Sequence, residues 1–563
     1  MMLQLRSAPG IHARVRVPAG GLSAVRCVRF QSSKFKPYYI TTPIFYVNAS
    51  PHVGHLYSMV LADTFKRWQQ FRGRETYMLT GTDEHGMKVQ QVAQEKGQDP
   101  KEFCDEVSVT FKNLASAANI SNDRFIRTTD PDHIASVHKF WNRLVERGYI
   151  YKGEHKGWYC VSDETFYPEN LTEERVDHST GLPKRVAIET GKTVEWTSEE
   201  NYFFAMSKMK QRLLGIYESR PKFVVPRQRF KEVKAEVADS TGDLSISRPS
   251  SRYTWGIRVP GDDSQTIYVW LDALVNYLTA TGYSTSEECP LWPANTHVIG
   301  KDIIRFHAMY WPAFLLAAGY QIPKRILVHG HWQMNGAKMS KSDGNVVDPF
   351  YILNLLDTDA ARYYLLSHAI VDRDCSFSTE AALERRRTDL VGKYGNLISR
   401  VTSKTFSLEI AVSQIMEQTG GDFATFQAFE QTKYIGGLEA DLITSLNELY
   451  EKLIVHMHYN HDTPSALRDI WAVLGAANRY VDLAEPWKAK SKRLLYQTIF
   501  VLGEVGRISS ILLQPFLPEY AARGLDQLGV RPERRTPEYA KFMADDFYGN
   551  DANRGKHIMK VIR

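Results

Sequence analysis

The 563-residue sequence holds only five cysteines, Cys27, Cys104, Cys160, Cys289 and Cys375, scattered and odd in number. That excludes a disulfide framework and fits a reducing interior. No uninterrupted apolar segment approaches the roughly 20 residues that a bilayer span needs, so no membrane partner is expected. Internal repeats and sustained low-complexity tracts are absent too, and no acidic residue precedes Asp63.

What fills that acid-free start is arginine. Arg6, Arg14, Arg16, Arg26 and Arg29 lie within the first 33 positions among Ser, Ala and Val. Such a start resembles a mitochondrial presequence and predicts residence in the mitochondrial matrix. Removing residues 1–33 takes five charges from the formal +6 and leaves +1, so global charge says little about partners. The length exceeds what one hydrophobic core serves, so two or more domains are expected.

From Lys36 to Val47 the chain reads as a buried strand. A helix follows, with Leu61, Phe65 and Trp68 at i, i+4 and i+7 and Gly73 as its stop. Glu75 to Leu79 reads as a second strand, ending in Gly81-Thr82-Asp83-Glu84-His85-Gly86. Strand, helix, strand in about fifty residues implies a right-handed parallel crossover. Ligands collect beyond the carboxyl ends of such strands. Three later runs, Thr266–Leu271, Thr296–Ile299 and Arg325–His329, suggest that the sheet resumes after a charged, irregular insertion. Helical periodicities dominate after about Thr379 (Leu383–Val401, Ala440–His456, Leu494–Leu513), predicting a helical C-terminal domain.

Two motifs carry chemistry. In Ser50-Pro51-His52-Val53-Gly54-His55-Leu56 a histidine pair opens a helix after a strand, which predicts free backbone N–H groups, a positive dipole end and two polarisable donors at one anion site. Gly54 would let a flat ligand lie on the backbone. Two core or cap histidines are the bland alternative. In Gly336-Ala337-Lys338-Met339-Ser340-Lys341-Ser342-Asp343-Gly344-Asn345 two lysines stand three apart among small and turn-forming residues, predicting a mobile cationic loop able to meet charge developing in a phosphoryl transition state. A solvated basic turn is the alternative there.

Together, in this order on two halves of an interrupted parallel sheet, the motifs resemble those of class I aminoacyl-tRNA synthetases. The resemblance sharpens to methionyl-tRNA synthetases, mitochondrial and bacterial-type without zinc-knuckle cysteines, and covers nearly everything from Pro37 onward. It implies a Rossmann-type α/β catalytic domain split by a connective module and followed by an α-helical anticodon-binding bundle. The expected boundaries are 1–33 presequence, 34–147 and 241–329 the two catalytic halves, 148–240 the module, 330–380 the lysine loop and stem-contact region, and 381–563 the bundle. It implies ATP with Mg²⁺, methionine and tRNA(Met) as partners. His52 and His55 would contact the phosphates, Lys338 and Lys341 the pyrophosphate, with Gly54 and Ser340 also on ATP. For methionine it implies Ile44, Tyr46, Asp83 on the ammonium, Trp270, Ala273, Tyr277, Ile303 and His307; a conformational role for Arg248; and Asn396, Arg400 and Trp487 on the anticodon. A thioether gains dispersion and S-aromatic contact in an aromatic slot, with Tyr46 and His307 presenting a polar hydrogen to sulfur.

Three departures from the family pattern matter. In Gly157-Trp158-Tyr159-Cys160-Val161-Ser162-Asp163-Glu164 the second knuckle cysteine is Asp163, so four thiolate ligands are impossible and no zinc is expected, although Cys160, Asp163 and His178 could improvise a site. Leu274 stands where many relatives have proline. No appended oligonucleotide-binding barrel follows the helices, which predicts a monomer. A sister synthetase for Leu, Ile, Val or Cys, or a non-catalytic tRNA-binding protein on the same scaffold, are the competing readings.

Overall fold

The computed structural model describes residues 36–160, 165–167, 169–177, 181–240, 242–286, 288–334, 337–338, 347–369, 371, 373–403, 405–427 and 436–550. The first elements are β1 (Tyr38–Tyr46), α1 (Val53–Phe71), β2 (Thr76–Asp83), α2 (Met87–Glu95), α3 (Pro100–Ala117), β3 (Arg124–Arg127) and α4 (Pro131–Glu146). β1 is buried along almost its whole length, as a central parallel strand covered on both faces must be. Its polar side chains are paired internally: Thr41 Oγ1 lies 2.7 Å from His297 Nδ1, and Thr42 donates to Thr80 Oγ1. α1 runs to the expected stop, where Gly73 takes φ +75°.

The inserted region is more ordered than its composition suggests. It holds β4 (Ile150–Cys160), β5 (Thr165–Tyr167), β6 (Thr172–Val176), β7 (Pro183–Ala187), β8 (Glu195–Phe204), α5 (Lys210–Ser219), β9 (Val224–Val225) and α6 (Arg227–Asp239). The expected limits of 148–240 are crossed in both directions. β10 (Leu244–Ser245), beyond the limit, pairs with β8 in the antiparallel sheet β10-β8-β4-β5, whereas β9, within it, joins the parallel sheet beside a later strand.

β11 (Ser247–Pro249), β12 (Arg258–Val259) and β13 (Asp262–Ile267) form a separate three-stranded antiparallel sheet, and α7 (Val269–Thr279) follows. The extended run expected over Thr266–Leu271 therefore ends at Ile267, lies outside the parallel sheet and gives way to a helix. Apolar runs do not distinguish a buried strand from a helix buried on all sides, and every residue of α7 except Trp270 is buried. Then come β14 (Thr296–Gly300), a 3₁₀ turn at Lys301–Ile303, a π-helical stretch at Phe306–Tyr310, α8 (Trp311–Ala318) and β15 (Ile326–His329). The helix expected to reach Trp311 continues to Ala318, where Gly319 ends it at φ +85°. The six-stranded sheet has the order β3-β2-β1-β14-β15-β9, with every described pairing parallel.

β16 (Trp332–Met334) pairs antiparallel with β17 (Ala337–Lys338) and parallel with β18 (Cys375–Ser376), which follows α9 (Pro349–Leu356) and α10 (Thr358–His368). Lys338 thus sits on a hairpin strand and not in a loop. The intervening Asn335-Gly336 is the strongest short hairpin signal a sequence offers. Ser340 and Lys341 lie outside the described residues.

The helical region comprises α11 (Thr379–Arg385), a π-helical stretch at Arg386–Gly395, α12 (Asn396–Val401), α13 (Leu408–Thr419), α14 (Phe423–Gln427), α15 (Gly436–Ile454), α16 (Thr463–Ala484), α17 (Lys492–Leu513) and α18 (Pro518–Gln527). One hydrophobic cluster runs from β1 and α1 into α15, α16 and α17. Across this junction the buried Arg362 guanidinium meets the buried Asp63 carboxylate at 2.8 Å and donates to the Phe516 carbonyl. Burial alone would raise the Asp63 pKa; Arg362 and Arg67 outweigh it and hold the carboxyl below its usual value.

Candidate active site

Two adjoining cavities open at the carboxyl edge of the parallel sheet. The first, about 310 Å³, is lined by Pro43, Ile44, Tyr46, Asp83, Lys88, Val269, Trp270, Ala273, Leu274, Asn276, Tyr277, Asp302, Ile303 and His307. All eight residues expected around methionine are among them. The second, about 200 Å³, is lined by His52, Gly54, His55, Ser58, His329, Gly330, His331 and Trp332 together with Pro43, Ile44, Phe45, Tyr46, Asp302 and Ile303. Pro43, Ile44, Tyr46, Asp302 and Ile303 border both, so a single ligand can occupy the two.

The histidine pair closes the start of α1 on itself. The Gly54 N–H donates to His52 Nδ1 and the His52 N–H to His55 Nδ1, each at 3.0 Å. Both Nδ1 atoms are acceptors, so a neutral ring carries its proton on Nε2, and both residues line the second cavity. The rings stack with centroids 3.8 Å apart. Free backbone N–H groups, expected here, are not found: Val53 donates to the Val347 carbonyl, Gly54 to the His52 ring and His55 to the His52 carbonyl. A Cβ on Gly54 would stand 2.8 Å from His52 Cε1, so this glycine is required first by the folded-back ring.

Asp83 ends β2 and is nearly fully buried. It does not cap α2, whose N-cap is Gly86 without a side-chain bond. Gly86 takes φ +124°, and a Cβ there would fall 2.0 Å from the Tyr46 hydroxyl. Glycine therefore sets how deeply Tyr46 enters the cavity. Trp270 stacks on Phe306 at 3.6 Å and builds one wall.

His307 is oriented by its neighbours. Its Nδ1–H donates to the Ile303 carbonyl at 2.9 Å, and burial pushes its pKa down to about 4, so Nε2 accepts the Tyr277 hydroxyl proton at 2.7 Å. The expected polar hydrogen from His307 to sulfur is consequently not available. His307 supplies an imidazole edge and fixes Tyr277.

Arg248 lines neither cavity. Its guanidinium donates to Ser245 Oγ and the Ser247 carbonyl and lies 4.7 Å from the Tyr268 ring, at the N-cap of α7. In the helical region Asn396 and Arg400 share α12, one turn apart. Asn396 Nδ2 is 3.4 Å from Asn478 Oδ1, and Arg400 pairs with Asp482 at 2.8 Å, both on α16. Trp487 follows the end of α16 and is 52% exposed, so a buried core indole is excluded.

Residues 38–402 match the family described as "tRNA synthetases class I (M)". A Neurospora crassa protein named "Probable methionine--tRNA ligase, mitochondrial" is 46% identical over 526 residues, covering 91% of this chain and 83% of its own. A Candida albicans protein named "Methionine--tRNA ligase, mitochondrial" is 44% identical, covering 94% and 96%. The chain belongs to the methionyl-tRNA synthetase family. Among solved structures, Mycobacterium tuberculosis methionyl-tRNA synthetase in complex with methionyl-adenylate aligns with TM-score 0.82 at 37% identity, covering 93% of this chain and 99% of that one.

For a synthetase of this family the cavities contain residues that motif reading passed over. His329 and His331 sit at and just beyond the carboxyl end of β15, where the strand-edge rule would have flagged them. Asp374 couples that edge to the lysine hairpin: it pairs with Lys301 at 2.7 Å, accepts the His331 backbone N–H at 2.9 Å, and takes a bond from Gln333 Nε2 at 3.1 Å. Gln333 is in register with Lys338.

His329 resembles His307. Its Nδ1 lies 2.8 Å from the Gly330 carbonyl, its Nε2 2.8 Å from Ser58 Oγ, and burial pushes its pKa down to about 4. An unfolded histidine titrates near 6.5, so as pH falls from 7 to 5 the unfolded chain binds protons that the native state refuses. Stability is full above about pH 6.5 and falls toward pH 4, by roughly 2 kcal/mol per such histidine at pH 5. Urea unfolding at pH 7 and 5 checks this: His329→Gln should show a smaller acid loss than the parent, by roughly that amount. Equal losses would reject it.

Proposed function

We propose that the chain is a methionine–tRNA ligase, activating methionine with ATP to methionyl-adenylate and transferring the methionyl group to the terminal ribose of tRNA(Met) in mitochondrial translation. The observation that carries this is the shared wall of the two cavities, which sets an apolar, aromatic slot ending in a buried carboxylate beside two imidazole donors. The aminoacyl end of an adenylate fits the first and its phosphate the second.

In this reading Asp83 holds the ammonium and Ile44, Tyr46, Trp270, Ala273, Tyr277, Ile303 and His307 enclose the thioether. His52 and His55, with Gly54, bind the triphosphate of ATP, whose Mg²⁺ travels with its phosphate oxygens. Lys338 and Lys341 hold the pyrophosphate, with Ser340 also on ATP. No protein nucleophile takes part; catalysis rests on orientation and electrostatic stabilisation at the α-phosphorus. Arg248, beside Tyr268 at the start of α7, sets the conformation of the pocket helix. Asn396, Arg400 and Trp487 read the anticodon, the exposed indole offering a stacking face. We assign the enzyme to the mitochondrial matrix as a monomer, with the module free of zinc. Cys160 is buried beside Ala187 and Val194, while Asp163 and His178 lie outside the described residues.

ATP–pyrophosphate exchange across the twenty amino acids, followed by charging of tRNA(Met), tests the assignment. Exchange with methionine alone supports it; exchange with Leu, Ile, Val or Cys in preference rejects it. Lys341→Ala should cut methionine-dependent exchange by on the order of 10²-fold while methionine binding stays nearly intact. Unchanged exchange would remove that lysine from the account.

A further inference from the structure

An amino acid enters as a zwitterion, and the roles assigned so far provide for only one of its charges. Asp83 takes the ammonium. The carboxylate, which is the nucleophile of the first step, would then lie near Asp83 and Asp302, both lining the same cavity, and two carboxylates facing a third repel it. Lys88 is the cationic side chain among the lining residues of that cavity. It is half-buried in the first turn of α2, five residues after Asp83. The link between them is pinned at two points. Arg127 holds Glu84 through a bidentate pair at 2.6 and 2.8 Å, and Asp272 holds His85 at 2.7 Å. The two opposite charges therefore hang from one fixed segment at the edge of the slot.

We propose that Lys88 binds the carboxylate of the incoming amino acid, so that Asp83 and Lys88 together select a free α-amino acid. This rests on the assignment of Asp83 to the ammonium. In the reaction the carboxylate oxygen bonds to the α-phosphorus, the bond from that phosphorus to the bridging oxygen of pyrophosphate breaks, and pyrophosphate leaves with the electron pair. The carboxylate charge vanishes into a neutral acyl group. The contribution of Lys88 is thus greatest before attack and falls mainly on KM.

Methioninol keeps the thioether and ammonium but lacks the carboxylate, which makes it the discriminating probe. KM for methionine in exchange and the inhibition constant of methioninol are measured for the full chain, Lys88→Met, Lys88→Arg and Asp83→Asn. Loss of a charge-assisted bond should raise KM about 10- to 100-fold in Lys88→Met. Methioninol inhibition should change less than twofold, and Lys88→Arg should recover most of the loss. Parallel weakening of both ligands in Lys88→Met, or no change in either, overturns the proposal. Asp83→Asn reads the underlying assignment separately: it weakens both ligands if Asp83 holds the ammonium, and neither if that assignment is wrong.

Discussion

Asp83→Asn is expected to lower kcat/KM for methionine in exchange by on the order of 10²- to 10³-fold. The substitution preserves shape and removes one charge. Asp83 is buried at the end of β2, where an ammonium ion entering the cavity leaves water and must recover its hydration energy from the protein. Truncating one member of a desolvated charge pair costs roughly 2 to 5 kcal/mol, most of it the penalty on the partner left behind. Because the ammonium is held alike in substrate and transition state, the loss falls mainly on KM. Steady-state exchange with methionine varied to saturation gives both constants. A loss confined to kcat would place Asp83 on the reacting atoms instead.

The second large effect separates two functions of one ring. His55 accepts the His52 backbone N–H through Nδ1 and lines the second cavity, so a neutral ring carries its proton on Nε2, the atom proposed to meet the phosphate. Asparagine reproduces the Nδ1 acceptor with its own oxygen and has nothing at the Nε2 position; glutamine does the reverse. His55→Asn should therefore keep the cap and lose on the order of 10²- to 10³-fold in exchange kcat, the usual cost of one preorganised donor to a developing anion. His55→Gln should retain more activity while losing about 1 kcal/mol of stability with the cap. Thermal unfolding beside exchange kinetics reads both. If His55→Asn keeps its activity while His55→Gln loses it, the ring acts through the helix start alone.

Much of this site was legible in the sequence because its elements are local. Histidines spaced three apart at a strand-to-helix turn form a box between neighbours, and Ile44, Tyr46 and Asp83 meet because the parallel strands β1 and β2 deliver their ends to one edge, where α7 adds Trp270, Ala273 and Tyr277. What was not legible depends on hydrogen bonds between distant segments. The acceptor state of His307 follows from Tyr277, thirty residues away, and from its own helix carbonyl. The consumption of the first-turn N–H groups of α1 depends partly on Val347. β9, two residues long, carries no periodicity of its own and is defined by its partner β15. The strand at Lys338 is a different case, since Asn-Gly between two short runs is a local hairpin signal and β17 pairs with β16 across it.

The most direct test of the central claim is a crystal structure of the chain with a non-hydrolysable methionyl-adenylate analogue. The expected result has the thioether between Trp270, Tyr277 and His307, the ammonium on Asp83, and the phosphate against Nε2 of His52 and His55. An analogue bound with its phosphate away from those two rings, or its side chain outside the 310 Å³ cavity, would contradict it.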